Sequence, residues 1–284
     1  MTTASAIKPF LKWAGGKRQL WPQIQERFPD DIRERIYCEP FVGGGSILFF
    51  LQPAKAIISD ANAELMNCYR MVKECPEELI RELGMYENTS EFFYHIRGLD
   101  RNPGLDQLVP IQRAARIIYL NKTCFNGLYR VNADGYFNAP FGKYKNPSII
   151  NADGIKAISQ YLNTADVRIC QGDYSQILAE LDKNAFVYLD PPYHQLTGQS
   201  FTGYVRGGWN DNDQIRLRDA CQSLDQKRIH FLLSNSSTDF IHQIYKEFHI
   251  QTIQAARCIN SKGDRRGAVD EVLVCNYVQY RRPV

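Results

Sequence analysis

Apolar and polar positions fall along this chain in two rhythms. Short apolar runs stand at 35–39, 56–59, 167–170, 186–189 and 229–233, with a last one at 272–274. Runs of this length between polar stretches predict strands, and those without alternation predict strands buried on both faces of a parallel sheet. Elsewhere apolar residues recur every three or four positions, which predicts helices at 64–72, 76–85, 90–96, 110–121 and 214–224. Strand–helix alternation of this kind implies a doubly wound α/β sheet. One interval breaks the rhythm. From Asn62 to about Ile150 the text is mostly helix-like, ends in a stretch dense in Asn, Gly, Tyr and Lys, and shows no strong strand until Val167. We expect a helical domain over 63–150, inserted between the second and third strands of a main domain formed by 1–62 and 151–284.

A chain of 284 residues can bury one sizeable core and a smaller satellite. Its eight cysteines are Cys38, Cys68, Cys75, Cys124, Cys170, Cys221, Cys258 and Cys275, with no C-x-x-C pair among them. In a chain of this length such scatter predicts reduced thiols and a cytoplasmic setting. The five histidines lack ligand spacing, so no metal site is expected. The opening residues from Met1 lack the apolar run of a signal peptide. Nor does any stretch reach the roughly 18 apolar residues of a membrane span. A net charge of +3 does not announce nucleic acid, so local clusters must make that case.

Phe41-Val42-Gly43-Gly44-Gly45-Ser46 follows the first strand and leads into an apolar helix start. Glycines at a strand-to-helix turn let backbone approach a ligand closely, although such turns are also common without one. The third glycine of the dinucleotide fingerprint is missing. Asp60 ends the second strand, where a carboxylate can accept hydrogen bonds from ribose hydroxyls; its plainer reading is a helix N-cap. Together the two features indicate an adenosyl or nucleotide ligand. Lys12-Trp13-Ala14-Gly15-Gly16-Lys17 invites a phosphate-loop reading, which fails because Arg18 stands where Ser or Thr is required.

Asp190-Pro191-Pro192-Tyr193 decides the chemistry. It directly follows the run 186–189, at the carboxyl edge of the sheet where α/β proteins place ligands. Consecutive prolines stop the ladder and stiffen the turn. A stiff turn presents the Asp190 carboxylate and the Pro191 carbonyl as two fixed acceptors, the complement of an exocyclic NH₂. Tyr193 adds a stacking face for an extruded base.

Taken in order, 12–17, Glu39-Pro40 with the glycine turn, and 190–193 resemble the Dam-like (D12 class, alpha group) DNA adenine-N6 methyltransferases. The texts at 121–130 and 137–145 are similar to the GATC-specific branch, closest to its DpnII-type methylases. The resemblance spans nearly the whole chain. It implies a Rossmann-like class I methyltransferase mixed sheet with an inserted helical DNA-recognition domain, and S-adenosyl-L-methionine as methyl donor. Trp13, Lys17, Phe41, Gly43, Gly45, Asp60, Asp173, Tyr174 and Asp190 would then bind the donor, while Asp190, Pro191, Pro192 and Tyr193 hold a flipped adenine. Double-stranded DNA would meet Lys12, Phe125, Asn126, Leu128, Arg130, Asn138, Pro140, Lys143, Tyr144 and Lys145, Phe125 standing in the place of an aromatic wedge. A functional pairing with a restriction endonuclease is compatible with this branch.

The residues agree with that implication. Arg130 can fork onto guanine, and Asn126 or Asn138 can pair bidentately with adenine. Arg113, Arg116, Lys122, Lys143 and Lys145 are expected phosphate contacts, with solvated surface as the alternative for each lysine. Residues 194–210, rich in Gly and aromatics, are expected to form a lid, and 260–267, with Lys262, Arg265 and Arg266, an arm on phosphates. Methylation of cytosine N4 or of an RNA base satisfies the Asp-Pro-Pro-Tyr logic equally; a non-catalytic DNA-binding regulator is the rival of another class.

Overall fold

Five short strands run parallel: β1 (Ile36–Glu39), β2 (Lys55–Ile58), β3 (Asp166–Ile169), β4 (Ala185–Leu189) and β5 (His230–Ser236). The computed structural model describes residues 7–101, 104–194, 208–256 and 268–278. Two further strands, β6 (His249–Ala256) and β7 (Ala268–Cys275), pair antiparallel with each other, and β7 pairs antiparallel with β5. The order across the sheet is β3-β2-β1-β4-β5-β7-β6. It is a doubly wound mixed sheet, as the alternation of elements predicts.

β4 shows why these runs are strands. All five of its residues are buried, and their side chains divide between the two faces. Phe186 and Tyr188 join one core cluster with Tyr37, Ile58 and Leu232; Val187 and Leu189 join the other with Cys38, Phe231 and Leu233. The first face carries α1 (Trp21–Gln25), α2 (Ser46–Leu51), α3 (Ala63–Glu74) and, later in the chain, α7 (Ala152–Thr164). The second carries α8 (Tyr174–Glu180), α9 (Asp211–Gln226) and α10 (Asp239–Ile244).

Between α3 and α7 lie α4 (Pro76–Gly84), α5 (Ser90–Gly98) and α6 (Pro110–Thr123). α4 and α6 each start on a proline, which fits a first turn whose N–H would be unpaired anyway. α3 and α5 are capped by Asn62 and Thr89, whose side chains accept from Leu65 and Phe92 N–H. Leu65, Tyr69 and Val72 of α3 and Ile117 and Leu120 of α6 belong to the same buried cluster as the sheet face. The helices of 63–150 therefore share one core with the first face of the sheet.

The sequence pattern leaves out α1, α8 and α10, which are too short to show a helical period, and also α7 and β6. α7 has Gly154 and polar residues at its start, which masks the apolar spacing of Ile155, Ile158 and Leu162. β6 is an edge strand, and Gln251, Thr252 and Gln254 thin its apolar text. No helix among the described residues is long and apolar enough to cross a membrane.

β1 lies between β2 and β4, so the sheet's direction of winding reverses between β1 and β4. Cys38 pairs with Val187 across that junction. The glycine turn after β1 and the Asp-Pro-Pro-Tyr turn after β4 thus leave the same edge side by side, at the crevice where such sheets bind ligands.

Candidate active site

Gly43 and Gly45 take left-handed backbone angles, φ 48° and 73°. A β-carbon at Gly43 would stand 2.8 Å from Trp13 Cδ1, and one at Gly45 would stand 2.5 Å from the Tyr69 hydroxyl. Only glycine suits both the angle and the contact. Asp60 ties this turn to the end of β2. Its Oδ2 accepts from Gly43 N–H at 3.1 Å and its Oδ1 from Asn62 N–H at 2.9 Å. The N-cap of α3 is Asn62, so capping is not the work of Asp60. Burial pushes the Asp60 carboxyl up to about 6. Trp13 stacks on Tyr129 with ring centres 4.9 Å apart, joining the turn to the segment that follows α6.

Past β4, Asp190 meets Lys17. The ammonium lies 2.8 Å from Asp190 Oδ1 and also donates to Gly15 carbonyl oxygen at 2.7 Å. Lys17 is only 4% exposed, so this pair is shielded from solvent. Ser234 of β5 donates to the same Oδ1 at 3.1 Å, and Tyr188 hydroxyl lies 3.0 Å from Ser234 Oγ. Burial holds the Asp190 carboxyl above the usual carboxylate range, against the opposing pull of Lys17 and Ser234. Gln214 of α9 donates to Pro192 carbonyl oxygen at 2.9 Å and accepts from Asn235 at 3.0 Å, pinning the turn from below. Tyr193 lies under the Lys17 ammonium, 4.7 Å from ring centre to nitrogen, and donates its hydroxyl to Glu271 at 2.8 Å.

A third group stands beside the glycine turn. Phe41 packs against Tyr174 (5.2 Å) and edge-on to Trp209 (5.7 Å). The Tyr174 hydroxyl and the Trp209 indole N–H are buried without a hydrogen-bond partner. Asp173 caps α8 through Ser175 N–H and pairs with Arg216 at 3.0 Å. Trp209 and Tyr193 line a cleft of about 230 Å³ with His194 and Gln214. His194, read from sequence as part of a lid, is fastened to the sheet edge: its N–H donates to Asn235 at 3.0 Å and its ring stacks on Phe240 at 4.7 Å. The remainder of that lid at 195–207, and the whole arm at 260–267, lie outside the described residues.

The predicted DNA-facing residues gather in one loop after α6. Asn121, fully buried, accepts from Lys12 N–H and donates to the carbonyls of Lys12 and Gly127, so Lys12 is latched to the loop. Isolated bridges join Cys124 to Phe141 and Val131 to Phe137. Arg130 Nε donates to Asn138 Oδ1 at 2.6 Å and its Nη2 to Asn138 carbonyl oxygen at 3.1 Å. Phe125 is 57% exposed at the tip, where its N–H donates to Pro140 carbonyl oxygen. Tyr144 hydroxyl accepts from Asn126 N–H, and Leu128 carbonyl oxygen accepts from Cys124 Sγ. Lys143 and Lys145 are exposed beside Tyr144.

Two expected phosphate contacts are structural instead. Arg116 is 2% exposed, pairs with Asp100 at 2.8 Å and donates to the carbonyls of Ile96 and Arg97. Arg113 pairs with Glu64 of α3. Arg116 points into the helical packing, where a buried guanidinium needs a carboxylate, while Arg113 remains partly exposed beside Glu64. Lys122 is half-buried, and burial lowers its pKa, with Lys12 adding to the effect.

A family model described as D12 class N6 adenine-specific DNA methyltransferase matches residues 13–259. The chain belongs to that family. Over 274 residues it is 44% identical to the Type II methyltransferase M1.LlaDCHI of Lactococcus lactis subsp. cremoris, covering 95% of this chain and 96% of that one. Over 290 residues it is 43% identical to the Type II methyltransferase M.MjaIII of Methanocaldococcus jannaschii, covering 95% and 99%. A DNA adenine methylase of Escherichia coli (strain K12) is 33% identical over 271 residues, 94% of each chain. The expected enzyme class and the Rossmann-like class I sheet both hold.

In this D12 methyltransferase the three motif groups legible in the sequence meet at one edge, around Lys17 and Asp190. The loop at 121–145 joins them through Trp13 and Lys12. Four residues that no motif marked also belong to this assembly: Asn121, Ser234, Gln214 and Glu271. They stand on other elements and show no local pattern. Asn121 lies in the text at 121–130 and Gln214 opens the helix expected at 214–224, but nothing local marks either as a site residue.

Proposed function

We propose that this enzyme moves a methyl group from S-adenosyl-L-methionine to N6 of an adenine extruded from double-stranded DNA, within GATC. The observation that carries the reading is the part-buried Asp190, held by Lys17 and Ser234 on a proline-stiffened turn beside the glycine turn. The site fits an adenosyl donor. The 43–45 turn offers backbone without side chains, Asp60 offers an acceptor, and Tyr174 and Trp209 offer two orphaned buried donors beside Phe41. Trp13, Lys17, Asp173 and Asp190 complete the donor side. Bound S-adenosyl-L-methionine supplies an electrophilic sulfonium methyl.

The chain's own part is to orient and to stabilise charge. Asp190 and the Pro191 carbonyl accept the two N6 hydrogens, which fixes the amine and turns its lone pair outward for in-line attack. As N6 bonds to the methyl carbon and the methyl–sulfur bond breaks, Asp190 stabilises the positive charge that grows on N6; the surplus N6 proton then passes to solvent, leaving N6-methyladenine and S-adenosylhomocysteine. Pro192 stiffens the turn and Tyr193 stacks on the base. Positioning supplies most of the rate.

Residues 63–150 form the target-recognition part, and 1–62 with 151–284 the catalytic part. Phe125 wedges the duplex open while Asn126, Leu128, Arg130, Asn138 and Pro140 read base edges. Lys12, Lys143, Tyr144 and Lys145 hold the backbone. The adenine methylases among the relatives support the base, and the type II names support a functional pairing with a restriction endonuclease. The cysteines among the described residues are scattered and unpaired, which supports work in the cytoplasm. Methylation-sensitive sequencing of DNA incubated with the purified protein and S-adenosyl-L-methionine tests the reading. N6-methyladenine confined to GATC is expected. Modified cytosine, or adenines modified equally elsewhere, would overturn the base or the site.

A further inference from the structure

Lys17 stands over the Tyr193 ring, the Tyr193 hydroxyl donates to Glu271 Oε2 at 2.8 Å, and Asp190 and Ser234 stand near the same hydroxyl. Glu271 comes from the far end of the chain. β7 runs opposite to β5, with Glu271 paired to Ser236. A reversed strand brings its beginning, not its end, to the edge where parallel strands finish. That reversal is what sets a carboxylate of β7 against the Asp-Pro-Pro-Tyr turn. The support is firm, because the neighbouring Val272 and Leu273 are buried in opposite faces of the sheet.

We infer that Glu271 is a positioning residue for methyl transfer, whose carboxylate tethers the Tyr193 phenol so that the ring offers the extruded adenine one fixed stacking plane. The inference rests on the reading of Tyr193 as the stacking surface. A tyrosine ring turns about two side-chain torsions, and the turn's prolines restrain only its backbone. A hydrogen bond to an ionised acceptor is roughly twice as strong as a neutral one, which suits a tether. Its value to the reaction is alignment. A base held by Asp190 and Pro191 at its amine still needs a surface that sets the tilt of the purine, and a misplacement of about 1 Å can lower a rate ~100-fold.

The test is a double-mutant cycle read by single-turnover methyl transfer to a short GATC duplex. Glu271→Ala and Tyr193→Phe should each slow the transfer step about tenfold, with donor and duplex affinities changed less than about twofold. The double variant should be no slower than Tyr193→Phe, because Glu271 acts only through the hydroxyl that Tyr193→Phe already removes. Glu271→Gln keeps an acceptor at the same reach and should recover most of the rate. A loss of about a hundredfold in the double variant would show that Glu271 acts by another route and overturn the inference. So would an unchanged rate for Glu271→Ala. Tyr193→Ala separates the two readings. Full activity there would remove the stacking role itself, whereas a slow Tyr193→Ala beside a normal Glu271→Ala would remove only the tether.

Discussion

Lys17 Nζ stands 2.8 Å from Asp190 Oδ1, and through that pair the N-terminal Gly-Gly loop is latched to the turn after β4. One ammonium also serves Gly15 carbonyl oxygen and the face of Tyr193. Removing a partner from such a buried pair leaves an uncompensated charge.

Asp190→Ala should nearly abolish turnover while duplex binding survives, and Lys17→Met should alter the pH profile. Asp190 accepts well only when ionised, so activity falls as pH drops through its pKa. Burial already holds that pKa high and Lys17 opposes the rise. Without Lys17 the acid limb of the rate profile should move to higher pH. A limb that stayed in place would mean another group governs it.

Asp60→Ala should weaken S-adenosyl-L-methionine binding by about 1–3 kcal/mol, the range for donors that lose a buried acceptor. The Gly43 N–H would also lose its partner, so Tm should fall as well. Calorimetric titration reads the first effect and thermal unfolding the second. Unchanged donor affinity would remove Asp60 from the binding site.

Arg116 and Lys145 should behave as opposites. Arg116→Ala leaves Asp100 with Arg101 as its cation but takes the Arg116 donors from the Ile96 and Arg97 carbonyls, and should cost about 1–3 kcal/mol of stability in urea unfolding. Lys145→Ala should leave stability nearly unchanged and weaken binding to all duplexes alike, with a shallower salt dependence. A stable Arg116→Ala with reduced salt dependence would restore the phosphate role.

Arg130→Ala should weaken binding to the GATC site by roughly 1–3 kcal/mol and relax choice at one base pair. Asn138 grips Arg130 at 2.6 Å, so Asn138→Ala should release the guanidinium and reproduce part of that loss. The two losses should add only in part, since the Arg130–Asn138 contact contributes to both. Equal weakening on every sequence would make Arg130 a backbone anchor.

The central strands were legible because burial on both faces writes an unbroken apolar run, as in Ala185–Leu189. The glycine turn, Asp60 and the Asp-Pro-Pro-Tyr turn were legible because each is a local text at a strand end. β6 was not, since an edge strand of glutamines and threonine looks like loop. Nor could local text tell that Arg116 is core and Lys145 surface. A cation in an amphipathic helix can face core or solvent, and only the arrival of Asp100 beside Arg116 shows which it does. Local text alone carries the five parallel strands, the family resemblance and the chemical groups at the strand ends, because each depends on neighbours along the chain. The tertiary structure alone decided which of those groups touch: Lys17 on Asp190, Asn121 on Lys12, Glu271 on Tyr193. Those contacts depend on strand order and direction, and a reversed β7 places a carboxylate where no pattern near Tyr193 announces it.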